Sequence, residues 1–268
     1  MLIFPNAKIN LGLRVTEKRN DGFHNIETCF FPVGWKDALE IITADKTHFV
    51  STGIPIPGSE KENLCLKAYK SLNKDFNLNP VEIHLHKTIP IGAGLGGGSS
   101  DTTATLMFLN EHFNLMLDDN LLSFYADQLG SDCSFFIHNQ PAIGHEKGNV
   151  LEPINLSLHG LHLYIVYPGI HVNTGKAYAN IHPDKPDRTL MDILTNEPIK
   201  NWKEMLINDF ETSVFLLHPE LKDLKDRLYR AGAVYASMSG SGSAIYALSN
   251  KEITIDTPEH FKVWREIL

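Results

Sequence analysis

Apolar and polar residues alternate close to the start of the chain. In residues 9–15 every second side chain is apolar, and the positions between are polar or glycine. This period-two pattern is typical of a β-strand that buries one face. A turn-like Arg-Asn-Asp-Gly segment follows at 19–22, and further strand-like runs lie at 26–33, 37–43 and 48–51. The N-terminal third is therefore predicted to be mostly sheet.

The middle of the chain predicts a helix, a strand, a glycine-rich loop and a second helix, in that order. Residues 64–76 carry apolar side chains at helical spacing, whereas apolar and polar residues alternate over 81–85. The loop Pro90–Asp101 follows, and the apolar residues 102–113 are compatible with a helix. A strand, a glycine loop and a helix N-terminus are thus adjacent, an order that suits phosphate binding.

The remaining pattern suggests two lobes. Asp118 is a candidate N-cap for a helix that ends near Gly130. Residues 144–155 are rich in glycine, proline and polar side chains, so a boundary is predicted near residue 150, giving lobes 1–150 and 151–268. The second lobe is expected to contain a strand at 161–167, helices at 202–217 and 221–231, two strands around 237–243 and a short amphipathic helix at 258–268.

Composition narrows the possible functions. Hydrophobic residues make up 43% and charged residues 21% of the chain, which is ordinary for a globular protein. The formal charge of -8 argues against broad binding of nucleic acid or of anionic membranes. Cys29, Cys65 and Cys133 form no CxxC pair, and the chain begins without a secretory signal or any apolar stretch long enough to span a membrane. We therefore expect a cytoplasmic protein without a disulfide framework or a zinc site.

The glycine loop is the strongest local signal. Five of the seven residues Gly92–Gly98 are glycine, so backbone N–H groups can converge on an anion. The following helix adds unsatisfied N–H groups and the positive end of its dipole. The loop lacks the GK[ST] of a Walker motif, and its formal GxGxxG match is weak evidence for a dinucleotide fold, because it does not lie in an opening strand–helix–strand unit. The other alternative is a packed turn that binds nothing.

Several residues outside the loop could carry chemistry, and each also has a simpler structural interpretation. Asp132 lies between a predicted helix and the apolar residues 135–137, so it is either a functional carboxylate or a turn aspartate. Lys8 falls on the polar face of the first strand, where alternation alone favours a solvated lysine. Phe23 and His24 follow a turn and could stack on and hydrogen-bond a pyrimidine, or pack as an ordinary loop.

Three separate segments resemble the GHMP family of small-molecule kinases: Pro5–Gly12, Pro90–Asp101 and Ser239–Ala244. The resemblance extends over essentially the whole chain. Asp21–His24 and the triple glycine Gly96–Gly98 distinguish the chain from the mevalonate and homoserine kinases of this family. The resemblance implies an α+β fold of two lobes, with the active site in the cleft between them, and ATP-dependent phosphorylation of an alcohol.

The resemblance also implies roles for individual residues. Asp132 matches the catalytic aspartate, which accepts the proton of the substrate hydroxyl, and Lys8 matches the lysine that stabilises the transferred group. Asn63 and Lys87 match positions that line the adenine pocket, although a helix N-cap and a surface lysine are equally good interpretations. The ATP phosphates would be held by Gly92, Gly94, Leu95, Gly96, Gly97, Gly98, Ser99 and Ser100. The other substrate would be bound by Asn10, Phe23, His24, Thr174, Tyr178, Gly240 and Gly242.

Ligands and partners follow from the same resemblance. Mg²⁺ would arrive with ATP and lie near Ser99 or Ser100, and no tightly bound metal is expected. The second substrate would be a cytidine diphosphate-linked alcohol, and the chain would act as a monomer or a homodimer. A kinase for a simpler alcohol, such as mevalonate or homoserine, and a nucleotide-binding regulator without turnover are the alternatives. Lys8 and Asp132 argue against the regulator, because a pure sensor needs no base beside a lysine.

Overall fold

The computed structural model describes residues 2–178, 181, 183–184 and 186–268. Its contacts divide the chain into two compact units. The first contains Met1–Ala7, Gly34–Ile91 and Gly96–Gln140, and the second contains Lys8–Val33, Gly92–Leu95 and Pro141–Leu268. The units interleave along the sequence. The lobes 1–150 and 151–268 are a different, sequential division, which stays a prediction.

Strands and helices are mixed throughout the described residues. The strands are β1 (Leu2–Ile3), β2 (Asn6–Lys18), β3 (His24–Lys36), β4 (Ala38–Thr43), β5 (His48–Gly53), β6 (Val81–Lys87), β7 (Ala142–His145), β8 (Val150–Pro153), β9 (His162–Tyr167), β10 (Tyr235–Met238), β11 (Ile245–Ser249) and β12 (Lys262–Ile267). The α-helices are α1 (Leu64–Phe76), α2 (Gly97–His112), α3 (Asp119–Leu129), α4 (Phe135–His138), α5 (Thr174–Tyr178), α6 (Leu190–Asn196), α7 (Trp202–Met205), α8 (Phe210–Leu217) and α9 (Pro219–Arg230).

The first unit is a four-stranded sheet packed with helices. The strand order is β1-β4-β6-β5, with β4 antiparallel and β5 parallel to β6. Ile83 in the middle of β6 pairs with Ile41 and Phe49, and all three side chains are buried. Leu72 of α1 and Leu109 of α2 belong to the same hydrophobic cluster. The apolar stripe predicted for each of these elements therefore faces one common core.

The second unit contains two further four-stranded sheets. One has the order β2-β3-β7-β8, and β2 and β3 each run across the boundary of the unit. The other has the order β10-β11-β9-β12, in which every pair is antiparallel. Helices α8 and α9 contribute Val214 and Leu224 to a cluster with Tyr164 of β9 and Ile245 of β11. The second core is thus built from elements of the C-terminal half together with β2.

Locally specified elements are confirmed where the sequence predicts them. The Asn63 side chain accepts a hydrogen bond from the Cys65 N–H at 2.9 Å and caps α1. Asp118 accepts one from the Leu121 N–H at 2.9 Å and caps α3, which ends before Gly130. Each cap satisfies an N–H group that the helix itself leaves unpaired, so a short polar side chain is enough to fix the helix start.

The first long strand differs from its predicted pattern. Residues 7–15 of β2 are buried on both faces, and Lys8 and Asn10 each keep only 2% of their surface exposed. A solvated Lys8 is therefore wrong. Alternation correctly identified the strand, but the polar side is covered because each of its polar side chains finds a partner.

Two predicted helices are wrong in part or in whole. The C-terminal segment is not a helix but β12, which pairs with β9 along Lys262–Ile267. The amphipathic pattern of residues 258–268 is compatible with a helix or a strand. Pairing with β9, which is distant in the sequence, stabilises the strand. The helix predicted over 202–217 is divided into α7 and α8, because Leu13 of β2 accepts a hydrogen bond from Asp209 N at 2.8 Å and donates one to Ile207 O at 2.9 Å.

The described residues also bear on cysteine chemistry and membrane spanning. Cys29, Cys65 and Cys133 are all buried free thiols. Burial raises the pKa of Cys65 and of Cys133 to about 12, so both remain protonated at neutral pH. Within the described ranges, no helix has the length and apolar character needed to cross a bilayer.

Candidate active site

The first half of the glycine loop, Gly92–Leu95, is bonded to the turn that follows β10. The Ala244 N–H donates to Ala93 O at 3.0 Å, and the Ser239 hydroxyl donates to Gly94 O at 2.8 Å. Gly94 has a φ of 80°, and a Cβ there would lie 1.9 Å from Ser239 O. Only glycine can occupy this position, since both the backbone conformation and the close approach exclude a side chain.

The second half of the loop opens α2. The first intrahelical bond runs from Ser100 N to Gly96 O at 2.9 Å, so the preceding N–H groups have no acceptor within the helix. A Cβ on Gly97 would lie 2.9 Å from Ile89 Cγ2, so the helix start packs directly on the chain that leaves β6. A Cβ on Gly98 would meet only Leu64, next to Asn63, at 3.7 Å. This helix end has the geometry and the dipole that attract an anion.

A buried ion triad lies beneath the start of α2. Lys87 Nζ donates to Asp37 Oδ2 and, at 2.8 Å, to Asp101 Oδ2, and all three residues are at most 3% exposed. Asp37 Oδ1 also accepts from Thr88 N at 2.6 Å and Ile89 N at 2.9 Å. Lys87 is therefore not a surface lysine, and its ammonium group is bound by carboxylates. A part for Lys87 in an adenine pocket would have to come from its backbone or stem.

The triad carries two carboxylates for one ammonium group. Burial, assisted by Asp37, raises the pKa of Asp101 to about 7 against the opposing effect of Lys87. Burial lowers the pKa of Lys87, but the two carboxylates outweigh it and the net shift is upward. The second oxygen of Asp101, Oδ1, is buried and makes no hydrogen bond. Asp37 and Asp101 could not be predicted as parts of the site, because nothing local in the sequence indicates that these two residues meet Lys87.

Asp132 is half-buried in the turn that follows α3, and this turn lies against the start of α2. The Thr103 hydroxyl of α2 donates to Cys133 O at 2.7 Å. Ser99 forms a side-chain hydrogen bond with the Cys133 thiol. The turn that contains Asp132 is therefore in contact with the first two turns of α2 within the first unit.

Lys8 and Asn10 form a buried polar chain in the second unit. Lys8 Nζ donates to Asn10 Oδ1 at 2.5 Å, and Asn10 Nδ2 donates to Thr28 Oγ1 at 2.9 Å. The backbone of the same strand holds the glycine loop, because Lys8 N donates to Leu95 O at 2.9 Å. Asn10 N in turn donates to Ser239 Oγ at 3.2 Å. Lys8, Asn10 and the loop residues Gly92–Leu95 are thus parts of one network.

The predicted substrate residues His24 and Tyr178 contact each other, and Phe23, next to His24 in the sequence, lies at the surface. His24 and Tyr178 stack on each other, with ring centroids 4.6 Å apart and an interplanar angle of 13°. Phe23 is 57% exposed, and Lys147 Nζ lies 4.6 Å from the centre of its ring. Phe23 N donates to Asp21 Oδ1 at 3.1 Å, which fixes the predicted turn. Partial burial and the nearby charge of Lys18 lower the pKa of His24, so its ring is neutral at pH 7.

Thr174, Gly240 and Gly242 also lie in the second unit. Thr174 begins α5, and its hydroxyl is 3.1 Å from the hydroxyl of Ser241, between the two glycines. Tyr178, one turn further along α5, packs edge-on against the buried Phe210 at 4.7 Å. The segment around Thr174 and the turn after β10 therefore meet, although they are distant in the sequence.

The predicted site residues fall into two groups. The first unit contains Asn63, Lys87, Gly96, Gly97, Gly98, Ser99, Ser100 and Asp132. The second contains Lys8, Asn10, Phe23, His24, Gly92, Gly94, Leu95, Thr174, Tyr178, Gly240 and Gly242. Each group is held together by the contacts described above, and no described residue group has the makeup of a resident metal site.

Known proteins share this architecture and these segments. The model of the GHMP kinases N-terminal domain matches residues 63–142, and that of the GHMP kinases C-terminal region matches residues 193–256. The 4-diphosphocytidyl-2-C-methyl-D-erythritol kinase of Bacteroides thetaiotaomicron is 53% identical over 259 residues, covering 95% of this chain and 94% of that protein. The protein of the same name from Cytophaga hutchinsonii is 51% identical over 251 residues, covering 93% of each.

A solved structure agrees with the sequence comparisons. A crystal structure of 4-(cytidine 5'-diphospho)-2C-methyl-D-erythritol kinase matches with a TM-score of 0.78 at 31% identity, covering 92% of this chain and 90% of that one. Identity at this level over nearly the full length of both chains is too extensive to reflect a shared fold alone. The chain belongs to the GHMP kinases and, within them, to the family of the 4-diphosphocytidyl-2-C-methyl-D-erythritol kinases.

Proposed function

We propose that this protein transfers the γ-phosphoryl group of ATP to the 2-hydroxyl of 4-diphosphocytidyl-2-C-methyl-D-erythritol, in the non-mevalonate synthesis of isoprenoid precursors. The products are the 2-phosphate and ADP. The observation that carries the proposal is the 53% identity, over 95% of the chain, to a kinase of that name. The paired rings of His24 and Tyr178 support the choice of a cytidylyl substrate, because a simple alcohol such as mevalonate or homoserine would not need them.

The phosphates of ATP are assigned to the loop from Gly92 to Ser100. The N-terminus of α2 supplies N–H groups and a positive dipole end, and the contact of Gly97 with Ile89 leaves no room for the helix start to move inward. Mg²⁺ prefers oxygen ligands, and the half-buried Ser99 hydroxyl, in the same unit as Asp132, offers one. Ser100 is 3% exposed and is the poorer candidate. When bound with ATP, the ion neutralises charge on the phosphates.

Lys8 and Asp132 are assigned to the chemical step. Asp132 accepts the proton of the 2-hydroxyl group while that oxygen attacks the γ-phosphorus, and the bond from this phosphorus to the oxygen that leaves with ADP breaks. Lys8 stabilises the negative charge on the transferred group. Its 2.5 Å hydrogen bond to Asn10 fixes the direction of the ammonium group before any ligand binds. A regulator without turnover would need neither a base nor an oriented lysine.

The remaining assignments concern the cellular location, the partners and the oligomeric state of the enzyme. Three buried thiols without a disulfide suit a reducing compartment, which supports a cytoplasmic location. The partners are ATP and the cytidine diphosphate-linked methylerythritol, with no nucleic acid or membrane. The acting form is a monomer or a homodimer.

The substrate is tested by turnover of a panel of alcohols. The purified protein is mixed with ATP and Mg²⁺ and with the cytidylyl substrate, mevalonate or homoserine, and release of ADP is followed. Only the cytidylyl substrate should give rapid turnover, with the new phosphate at the 2-position by phosphorus NMR. A higher kcat/KM for mevalonate or homoserine would identify another alcohol kinase, and ATP binding without turnover on any alcohol would identify a regulator.

Removal of the Asp132 charge should slow the chemical step. Asp132→Asn keeps the shape but removes the proton acceptor, so kcat should fall roughly 10²- to 10⁴-fold while substrate KM changes little. Asp118→Asn is the matched control, because it removes an exposed carboxylate of the same unit and asparagine caps a helix equally well. An unchanged kcat in Asp132→Asn would remove this residue from the mechanism.

A side chain at the start of α2 should weaken ATP binding. Gly97→Ala places a Cβ 2.9 Å from Ile89 Cγ2, so the start of α2 must shift, and the N–H groups proposed to bind the phosphates are displaced. Loss of one hydrogen bond to a charged group lowers affinity roughly 10- to 100-fold, measured by calorimetry with a nonhydrolysable ATP analogue. Gly98→Ala, whose Cβ would lie 3.7 Å from Leu64, should lose much less ATP affinity. Equal affinity for Gly97→Ala and the parent would place the phosphates elsewhere.

Substitution of Phe23 or His24 should weaken binding of the cytidylyl substrate and leave ATP binding unchanged. Phe23→Ala should weaken substrate binding by about 1 to 3 kcal/mol, the range for one base stack, whereas Phe23→Tyr keeps the ring and should be nearly neutral. His24→Ala should add a similar loss and reduce discrimination between cytosine and uracil analogues. Phe124→Ala removes an equally exposed ring, 62% exposed, from the first unit and is the control. Parent-like binding by all of these variants would mean that Phe23 and His24 only pack the loop.

A further inference from the structure

The side chain of Asn208 is almost fully buried, and every polar atom of its amide is used. Asn208 is 1% exposed, and its Nδ2 donates to Met238 O at 2.7 Å and to Gly240 O at 2.8 Å. Its Oδ1 accepts from Phe210 N at 3.0 Å. The amide therefore joins the start of α8 to the turn that follows β10. In the sequence, the polar pair Asn208-Asp209 lies between the apolar residues 205–207 and Phe210.

The backbone on both sides of Asn208 is fixed by hydrogen bonds to β2. The flanking residues Ile207 and Asp209 hydrogen-bond Leu13 of β2 through their backbones, at 2.9 and 2.8 Å. Asp209 Oδ2 also accepts from Val15 N at 2.7 Å. Asn208 thus projects from a segment that is fixed on the strand carrying Lys8 and Asn10.

The bond to Gly240 O sets the direction of a whole peptide group. A trans peptide is planar, and its carbonyl and N–H point to opposite sides. With Gly240 O drawn towards the buried Asn208, the Ser241 N–H of the same peptide must point the other way. Ser241 is only half-buried, so part of this residue is open to a ligand.

The N–H groups of the turn have room for an anion. Ser239 N and Gly242 N donate to backbone oxygens within the turn and its flanks. Among the described residues, the N–H groups of Gly240 and Ser241 make no hydrogen bond. Gly240 has a φ of 55°, and two successive N–H groups beside a left-handed residue form a concavity that suits phosphate oxygens. The Thr174 hydroxyl is 3.1 Å from that of Ser241, so the substrate segment adjoins this concavity.

We propose that Asn208 is a positioning residue, which orients the Gly240–Ser241 peptide so that its N–H group binds the diphosphate of the cytidylyl substrate. This inference rests on the proposed function, because it needs a substrate with a diphosphate next to the cytidine. Asn208 touches no ligand itself. It acts by holding the Gly240 carbonyl towards the interior, so that the Ser241 N–H points outward.

The experiment compares the binding of CDP and of cytidine, which differ only in the diphosphate. Calorimetry with a nonhydrolysable ATP analogue gives the ratio of the two affinities for the parent, Asn208→Ala and Asn208→Asp. Asn208→Asp keeps the size of the side chain but places an acceptor against two carbonyls. Tyr229→Phe is the matched control, because it removes two hydrogen bonds to the Ala236 backbone on the same strand, β10.

The affinity ratio separates positioning from general damage. In both Asn208 variants the preference for CDP over cytidine should fall roughly 10- to 100-fold, as expected when a charged group loses one hydrogen bond, while cytidine binds as before. Tyr229→Phe should keep the parent ratio. A parent-like ratio in folded Asn208→Ala overturns the inference. If neither Asn208 variant folds, Gly240→Ala disturbs the same peptide: a reduced ratio then supports the inference, and a parent-like ratio overturns it. Failure of the parent to bind either ligand would overturn the proposed function and this inference with it.

Discussion

The ammonium group of Lys87, held between two carboxylates out of reach of water, fixes the position of helix α2. An ionised group in such a place is tolerated only with its partners present, and removal of one partner from a buried pair costs roughly 3–5 kcal/mol. The three side chains come from the end of β6, from the link between β3 and β4 and from α2. These segments must therefore meet, and the first turn of α2 is set in place before any nucleotide binds. Preorganisation of this kind is what electrostatic catalysis requires.

In the second unit, the turn that follows β10 is also fixed by side-chain hydrogen bonds. Neutral donors hold the backbone there: the Ser239 hydroxyl binds Gly94 O, and the Asn208 amide binds Gly240 O. At the proposed diphosphate site, a carboxylate in either place would repel the phosphates. The Lys8 ammonium group is directed by an amide, Asn10, which adds no charge of its own.

Features that depend only on residues close together in the sequence were predicted correctly. The caps at Asn63 and Asp118, the β6–loop–α2 order and the turn at Asp21 are local, and the structure confirms them. Features that depend on distant partners were wrong or missed. Alternation in β2 could not reveal that its polar face is covered, and the C-terminal segment became a strand only because the edge of β9 was open to it. Asp37, Asp101 and Asn208 were invisible as a group, since each matters through a residue far away in the chain. The catalytic roles came from family resemblance, which carries tertiary information that no single pattern contains.

The two units alternate along the sequence, and this affects the order in which they can fold during synthesis. The first unit has all its residues once position 140 has left the ribosome. The second unit cannot close at that point, because Asn10 of its opening strand binds the Tyr246 hydroxyl, 236 residues further on. At 5–20 residues per second, β2 waits on the order of 10 to 50 seconds for that partner. During this interval Leu13 and Val15 of β2 lack the later residues with which they form the second core.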